Sequence, residues 1–450
     1  MSDPAATPAP LGRAFRVAGA LCVIEWAAYF GVYVSLTLYL TRAAGFTDVQ
    51  TGWVIGTFGA IACILPTAAG AIADRVGYRR SMIVGYSLLC AGYALMFVVP
   101  GRPTAIAALA LNVTGMSLTR TAVMGTGARS SDPANRARAY SILMQMINVG
   151  CFIGKAVARP IRVEFGIEYM GLWALAVATL ALATVVFAYR EEGATVPSPG
   201  GGVAAAWKGI GRVVRNGRFV AVLVVAGVFW AVQGQLYATM PRYVTRLVGD
   251  ATSPEWYANV NPIVVMLLIV PITRATRWMS SGASLAVAMA LVTLSAAVSG
   301  LGGVLTSWVG PEIALPWGGT LGAQAAVMVT GAALSGLGEC FLLPRYLEFT
   351  SMQAPAGETA LYLGFGYLNG LVSNALGFWL SGYLVDRWCP DPATLSPLDL
   401  AAWERALAGQ GPMPDAYAAA PWIWFLYAGF GAAALVGMAV LAHRVRRRGR

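Results

Sequence analysis

The sequence predicts an all-α membrane protein with 12 transmembrane helices arranged as two six-helix bundles. Three observations carry that expectation. Of the 450 residues, 58% are hydrophobic and only 11% are charged, with a mean hydropathy of +0.65; soluble domains carry roughly 25% charged residues. About twelve apolar runs reach the roughly 20 residues that a helix needs to cross a bilayer. A polar, basic linker divides those runs six and six.

The runs lie at 14–41, 50–73, 80–99, 104–127, 138–160, 168–189, 219–247, 257–275, 283–305, 321–347, 358–385 and 421–442. The first is too long and too studded with polar residues for a cleaved signal peptide, and it reads as a retained span. Residues 1–190 then form an N-terminal bundle and 219–450 a C-terminal bundle. The connector 191–218 opens with Glu191 and Glu192, passes through Pro-Ser-Pro-Gly-Gly-Gly, and ends with Lys208, Arg212, Arg215 and Arg218. It is flexible first and basic afterwards, and too short for two further spans. Two bundles of this kind imply a substrate path at their interface near the bilayer midplane, with alternating access by rocking.

Arginine sets the orientation. With the N-terminus inside, one set of segments holds Arg13, Arg16, Arg75, Arg79, Arg80, Arg129, Arg136, Arg138, the linker cations, Arg274, Arg277 and the tail from Arg444 to Arg450. The other side holds a scattering: Arg42, Arg102, Arg159, Arg162, Arg246, Arg387 and Arg405. The excess belongs in the cytoplasm, so both termini are expected there, in a multi-pass protein of the cell (inner) membrane. Segment 386–420 becomes the longest external loop, with a short surface helix around Leu400 to Leu407. The formal charge of +11 is spread over these short segments, a topological pattern and not a nucleic-acid face.

Other function classes find little support. The single histidine, His443, lies in the basic tail, so no His-based metal site or catalytic dyad can be built. Five of the six cysteines (Cys22, Cys63, Cys90, Cys151, Cys340) fall in apolar runs as small packing residues, not as a disulfide framework. No Gly-x-x-x-x-Gly-Lys-Ser/Thr loop is present to hold a nucleotide. The expectation is a transporter and not an enzyme, without cofactor or metal, energised by a gradient and working as a monomer in the lipid bilayer.

The most specific motif is Gly70-Ala71-Ile72-Ala73-Asp74-Arg75-Val76-Gly77-Tyr78-Arg79-Arg80, a charged turn between two apolar runs. It resembles the signature loop of the major facilitator superfamily of transporters, Gly-x-x-x-Asp-Arg-x-Gly-(aromatic or basic)-Arg-Arg. Glycines permit close helix approach and a tight turn, and arginines hold the loop on the cytoplasmic side. The resemblance implies a gating role for Gly70, Asp74, Arg75, Gly77, Arg79 and Arg80, with Asp74 facing a neighbouring helix N-terminus, where the macrodipole favours an anion. A weaker echo, Gly382-x-x-x-Asp386-Arg387, lacks the basic end and is read as chance.

Further stretches resemble one branch, the proton-dependent oligopeptide transporter family. Glu25-Trp26-Ala27-Ala28-Tyr29-Phe30-Gly31 is similar to that family's Glu-x-x-Glu-Arg-Phe-x-Tyr-Tyr-Gly, with Glu25 at the second Glu. Tyr140-Ser141-Ile142-Leu143-Met144-Gln145-Met146-Ile147-Asn148-Val149-Gly150 resembles Phe-x-x-Phe-Tyr-x-x-Ile-Asn-x-Gly. Phe229-Trp230-Ala231 with Gln235 fits its seventh helix and Asn261-Pro262 its eighth; Gly338-Glu339, Pro344 and Ala354-Pro355 fit its tenth. The departures are as informative. The family's first Glu is Cys22 here, its Arg is Trp26, a further Arg of the first helix is Tyr33, and the Lys of the fourth helix is Arg120.

A charge at the bilayer centre costs roughly 3 kcal/mol on insertion scales, so Glu25, Arg120, Lys155 and Glu339, placed inside spans, each need a reason. Glu25, Tyr29 and Tyr33 follow at i, i+4 and i+8 on one stripe, with Arg120 as the partner of Glu25. Either the pair only fixes helix packing, or it lines a cavity and Glu25 exchanges a proton as burial and the cation act on it in opposite senses. The family resemblance implies that Glu339, Asn148 and Asn261 hold a substrate amine; the other reading of the asparagines is hydrogen bonding between helices. Lys155, on nearly the same face as Asn148, is absent from the family pattern. It snorkels, pairs with an acid or meets an anionic substrate group. Trp230, Gln233 and Tyr237 form either an aromatic wall or ordinary packing.

The expected function is proton-coupled uptake of short peptides or a related amine-bearing small solute, with Glu25 and Arg120 in coupling and Tyr29, Tyr33, Asn148, Lys155, Trp230, Gln235, Asn261 and Glu339 at the substrate. The alternatives are a proton-driven exporter of drugs or natural products and a transporter-like receptor without flux. The topology has its own test. In a background lacking Cys389, Ser396→Cys reacts with an impermeant maleimide from outside intact cells; exclusive reaction from the cytoplasm overturns the layout.

Overall fold

The computed structural model describes residues 12–130, 136–191, 215–250, 252–314, 316, 318–352, 366 and 368–448. Most of linker 191–218, the pair Ala354-Pro355 and the start of the expected span 358–385 lie outside the described residues, as do the side chains of Tyr140 and Ser141. The helices are α1 (Arg13–Tyr33), α2 (Asp48–Val76), α3 (Tyr78–Val98), α4 (Arg102–Arg129), α5 (Arg136–Pro160), α6 (Tyr169–Phe187), α7 (Phe219–Val248), α8 (Pro254–Ala275), α9 (Ser281–Ser299), α10 (Ala323–Met352), α11 (369–388) and α12 (Trp422–Arg448). Eleven helices among the described residues are long and apolar enough to cross a membrane. The chain is thus a multi-pass, all-α membrane protein.

Three local features depart from the expected spans. The run 14–41 is not one helix: α1 ends at Tyr33, Val34 and Ser35 form a turn, and a short helical segment resumes at Leu36. The Ser35 hydroxyl donates to Glu255 at 3.0 Å and Arg42 pairs with Asp250 at 2.7 Å, so this segment has its own anchors. The run 283–305 breaks at Gly300 and Leu301 before a second helix, Gly302–Val309. After it comes a two-stranded hairpin, Glu312–Ala314 against Thr320–Gly322, which nothing in the sequence pattern announced. Gly318 and Gly319 take φ of +95° and +86° at its turn, a region open to glycine. The expected surface helix is present as Pro397–Leu407, capped by Ser396, whose Oγ accepts from the Asp399 amide.

By contacts the chain forms two compact units, Met1–Tyr33 with Ile64–Lys208, and Val34–Cys63 with Gly209–Arg450. Their boundaries differ from the sequence halves because Val34–Cys63 clusters with the C-terminal helices. In the first unit, small residues let backbones touch. A Cβ added at Gly154 of α5 would run into Ala27 O and lie 2.7 Å from Gly31 N of α1. One added at Gly115 of α4 would lie 2.6 Å from Gly85 O of α3. In the second unit the start of α2 lies on α11 by the same means, with Gly52 against Phe378 O and Gly382 against Asp48 O. Gly382, half of the apparent echo motif, is thus used for packing.

All six cysteines are free thiols. Cys389, just past α11, is fully buried, and burial pushes its thiol up to about 12, so it stays protonated in neutral solution.

The glycine seam predicts the consequence of filling it. Gly154→Ala forces α5 from α1 and lowers stability by about 1–3 kcal/mol, read as a fall in Tm of the purified protein; Gly282→Ala, where a Cβ meets nothing within 4 Å, leaves Tm unchanged.

Candidate functional site

In the first unit the buried carboxylate is Glu25 on α1. Its Oε2 accepts from the Tyr86 hydroxyl of α3 at 2.9 Å, and its Oε1 accepts from Arg120 Nε of α4 at 3.3 Å. Three helices therefore meet on one acid, which is 4% exposed. The expected Glu25–Arg120 pair is present, and Tyr86 is its unexpected third member. Nothing in the sequence spacing marked Tyr86, since a tyrosine in an apolar run also reads as packing.

Arg120 is also held by rings. Its guanidinium lies 4.1 Å from the Trp26 ring centre and 4.8 Å from that of Tyr29. Trp26 stacks on Phe30 and Tyr29 on Tyr33, so α1 presents a continuous aromatic stripe. Cations favour such ring faces. Where the resembled family places an arginine at 26, this chain has a ring face that grips the arginine of α4; at 33, its other arginine position, Tyr33 stacks on Tyr29. Farther along the stripe, Lys155 Nζ lies 4.7 Å from the Phe30 ring centre, with the residue 1% exposed. Asn148 is half-buried and donates from Nδ2 to Met144 O of its own helix at 3.0 Å.

The second unit holds the other carboxylate that the sequence marked. Glu339 on α10 accepts at Oε1 from Asn261 Nδ2 of α8 at 2.7 Å and from Gln233 Nε2 of α7 at 3.1 Å. The geometry brings Asn261 and Glu339 together as expected. It does not bring Gln235 to them. That side chain donates to Ala231 O and Gly377 O and accepts from Thr239, so it holds the backbone where α7 is interrupted. Gln233 occupies the place by the acid. Trp230 is half-buried and packs edge-on to Phe229. The turn at Gly234 breaks the helical spacing that would put Tyr237 on one wall with Trp230 and Gln233.

A second buried ionic group in this unit was not expected. Asp48, at the start of α2, receives Arg242 Nη1 at 2.8 Å and Arg246 Nη1 and Nη2 at 2.7 and 3.1 Å. Arg246 also reaches Asp391 at 3.0 Å and Cys389 O at 2.6 Å. The signal for it was present: Arg242 and Arg246 stand at i and i+4 inside an apolar run, on one helix face.

The signature loop folds within the first unit. Gly77 has φ of +97°, which demands glycine between α2 and α3. A Cβ added at Gly70 would meet Thr121 Cγ2 only at ordinary contact distance, 4.0 Å. Asp74 accepts from the Tyr78 hydroxyl at 3.0 Å and lies 3.7 Å from Arg129. The carboxylate at the N-terminus of α3 is Glu191, which accepts from the amides of Tyr78 and Arg79 and from Arg129; an anion is favoured there. Arg79 donates to Val186 O, while Arg75 and Arg80 are exposed.

The sequence model of the Major Facilitator Superfamily matches residues 19–329. The multidrug resistance protein MdtH of Photorhabdus laumondii is 23% identical over 383 residues, 84% of this chain and 87% of that protein. A crystal structure of a peptide transporter POT in complex with sulfate superposes with a TM-score of 0.70 at 18% identity, covering 99% of this chain and 96% of that one. A POT family transporter in complex with 5-aminolevulinic acid gives 0.73 at 14%, covering 96% and 95%. At such identities the two structures speak to the fold.

Removing one member of the Asp48 group tests its weight. Asp48→Asn leaves the buried Arg242 without its acid and Arg246 with Asp391 alone, and costs about 3–5 kcal/mol of stability. Asp250→Asn, in an exposed pair with Arg42, costs at most about 1 kcal/mol. Chemical denaturation of the two variants in one detergent checks the ranking.

Proposed function

The chain belongs to the major facilitator superfamily, whose members are membrane transporters, and we propose that it couples protons to the uptake of short peptides or a related amine-bearing solute. The observation that carries this reading is Glu339 with Asn261 and Gln233. A carboxylate flanked by two amides suits an ammonium group in a low-dielectric setting: the acid neutralises it, and each amide that gives its NH2 to Oε1 keeps its carbonyl oxygen for the ligand. Glu25 is the proposed proton carrier and Arg120 the cation that competes with the proton for it. The aromatic stripe from Trp26 to Tyr33 favours an apolar or aromatic body on the solute. The signature loop is assigned to gating, both termini to the cytoplasm of a cell (inner) membrane, and the working unit to a monomer without nucleic-acid partner.

A second reading follows from the relatives. The MdtH protein of Photorhabdus laumondii is named for multidrug resistance, which favours proton-driven export of a drug or natural product through the same groups. If export runs through Glu339 and its two amides, its solute carries an amine as well.

A thermal-shift screen of the purified protein with dipeptides, N-acetylated dipeptides, amines, nucleosides and sugars tests the shared premise. Amine-bearing ligands raise Tm, and the rise disappears in Glu339→Gln. Equal response to N-acetylated and free-amine ligands, or a response to sugars or nucleosides alone, contradicts it.

A further inference from the structure

We infer that the second helix after α9, Gly302–Val309, is a lipid-interface anchor whose apolar face lies at the boundary between the headgroups and acyl chains of zwitterionic glycerophospholipids. The inference goes beyond the transport reading and uses neither the Glu25 nor the Glu339 contacts. From Trp278 to Pro311 the chain carries no Asp, Glu, Lys or Arg. Glu312, in the hairpin, ends that run, and the next charged residue is Glu339. A connection that runs through water has no reason to exclude charge, whereas one held against lipid has.

The exposed face of α9 does not stop at the break. Leu294 of α9, Leu301 in the break and Trp308 of the second helix follow at seven-residue spacing, on one helix face. All three are exposed, Trp308 at 81%, and Val304 and Val309 are exposed beside them. The neighbouring face is packed. Ser295 donates to Gly331 O of α10 at 2.7 Å, and a Cβ added at Gly302 would run into the Gln324 side chain. α10 begins at Ala323, so it runs out beside Gly302, and the hairpin returns the chain there, with Ala323 N donating to Pro311 O at 2.8 Å. The stripe that α9 turns to lipid thus continues across Gly300 into the second helix.

Length sets the depth. At about 1.5 Å per residue, Ser281 to Val309 extends about 43 Å, against roughly 30 Å of hydrocarbon and about 40–45 Å with the headgroups. α9 uses up the hydrocarbon core, and Gly302–Val309 falls in the headgroup layer. Trp278, 80% exposed just before α9, and Trp308 stand at the two ends of this stretch, and tryptophan is favoured in both interfacial layers. In water the face of Leu301, Val304 and Trp308 would leave its apolar area hydrated, which the boundary removes. Charge selects the lipid. The second helix carries no cation, and the charge nearest to it in sequence is the exposed Glu312, which repels anionic headgroups. The contact therefore rests on apolar burial and not on acidic lipid.

Electron paramagnetic resonance of the full-length protein in phosphatidylcholine nanodiscs tests the placement. A nitroxide is attached at Val304→Cys or Val309→Cys, with the half-buried Cys63 and Cys90 replaced by serine and the protein without the added cysteine as the blank. Oxygen, which partitions into lipid, is expected to relax either label more than a water-soluble nickel chelate does, at a depth of about 5–10 Å into the boundary. A label at Glu312→Cys shows the reverse order. Trp308→Ser moves the Val304→Cys label toward water, Trp308→Phe leaves it in place, and its depth is unchanged when half the lipid is phosphatidylglycerol. If one labelled variant does not fold, the other is read alone. Labels that favour the chelate as Glu312→Cys does, labels shielded from both reagents by a second copy or another protein, or burial that requires phosphatidylglycerol overturn the inference. Failure of the amine screen leaves it standing.

Discussion

The constraint on which the rest depends is the cost of charge inside an apolar helical protein. A carboxylate or guanidinium in a span is tolerated only where donors and acceptors from other helices reach it. In the first unit Glu25 draws in Tyr86 and Arg120, tying α1, α3 and α4. In the second, Glu339 draws in Gln233 and Asn261, tying α7, α8 and α10. Asp48 draws in Arg242 and Arg246, tying α2 to α7. Glycines make these meetings possible by letting backbones approach to contact, so the apolar pattern and the polar groups are parts of one solution.

The two proposed functional carboxylates are both held by side chains from other helices. Arg120 gives Glu25 a cation, itself steadied between Trp26 and Tyr29; a rearrangement that weakens that contact changes what the acid holds, whether proton or arginine. At Glu339, Asn261 and Gln233 donate from neutral amides, which orient the acid. The proposal assigns proton exchange to the first and amine recognition to the second.

Much of this architecture was legible in the sequence because its causes are local or periodic. Apolar runs place the spans, Gly77 marks a turn that only glycine adopts readily, and Ser396 with Pro397 announces the surface helix. The pairing of Glu25 with Arg120 was legible because few charges inside spans leave few possible partners. What stayed hidden was long-range. The break after Tyr33 is secured by Ser35 and Glu255, 220 positions apart in sequence. Asp48 lies just before the run 50–73, and its partners Arg242 and Arg246 are 194 and 198 positions away. Gln233 and Gln235 differ by two positions, which sets them on opposite sides of a helix, and it is Gln233 that faces Glu339 while Gln235 faces Gly377 O.

The central claim is that Glu25 changes its protonation during transport and is not a packing residue alone. It is tested most directly in proteoliposomes with labelled phenylalanyl-alanine under an inward proton gradient. The account predicts that the wild type accumulates the peptide, while Glu25→Gln exchanges it across the membrane without accumulation. Continued accumulation by Glu25→Gln, or wild-type uptake indifferent to the gradient, would contradict it.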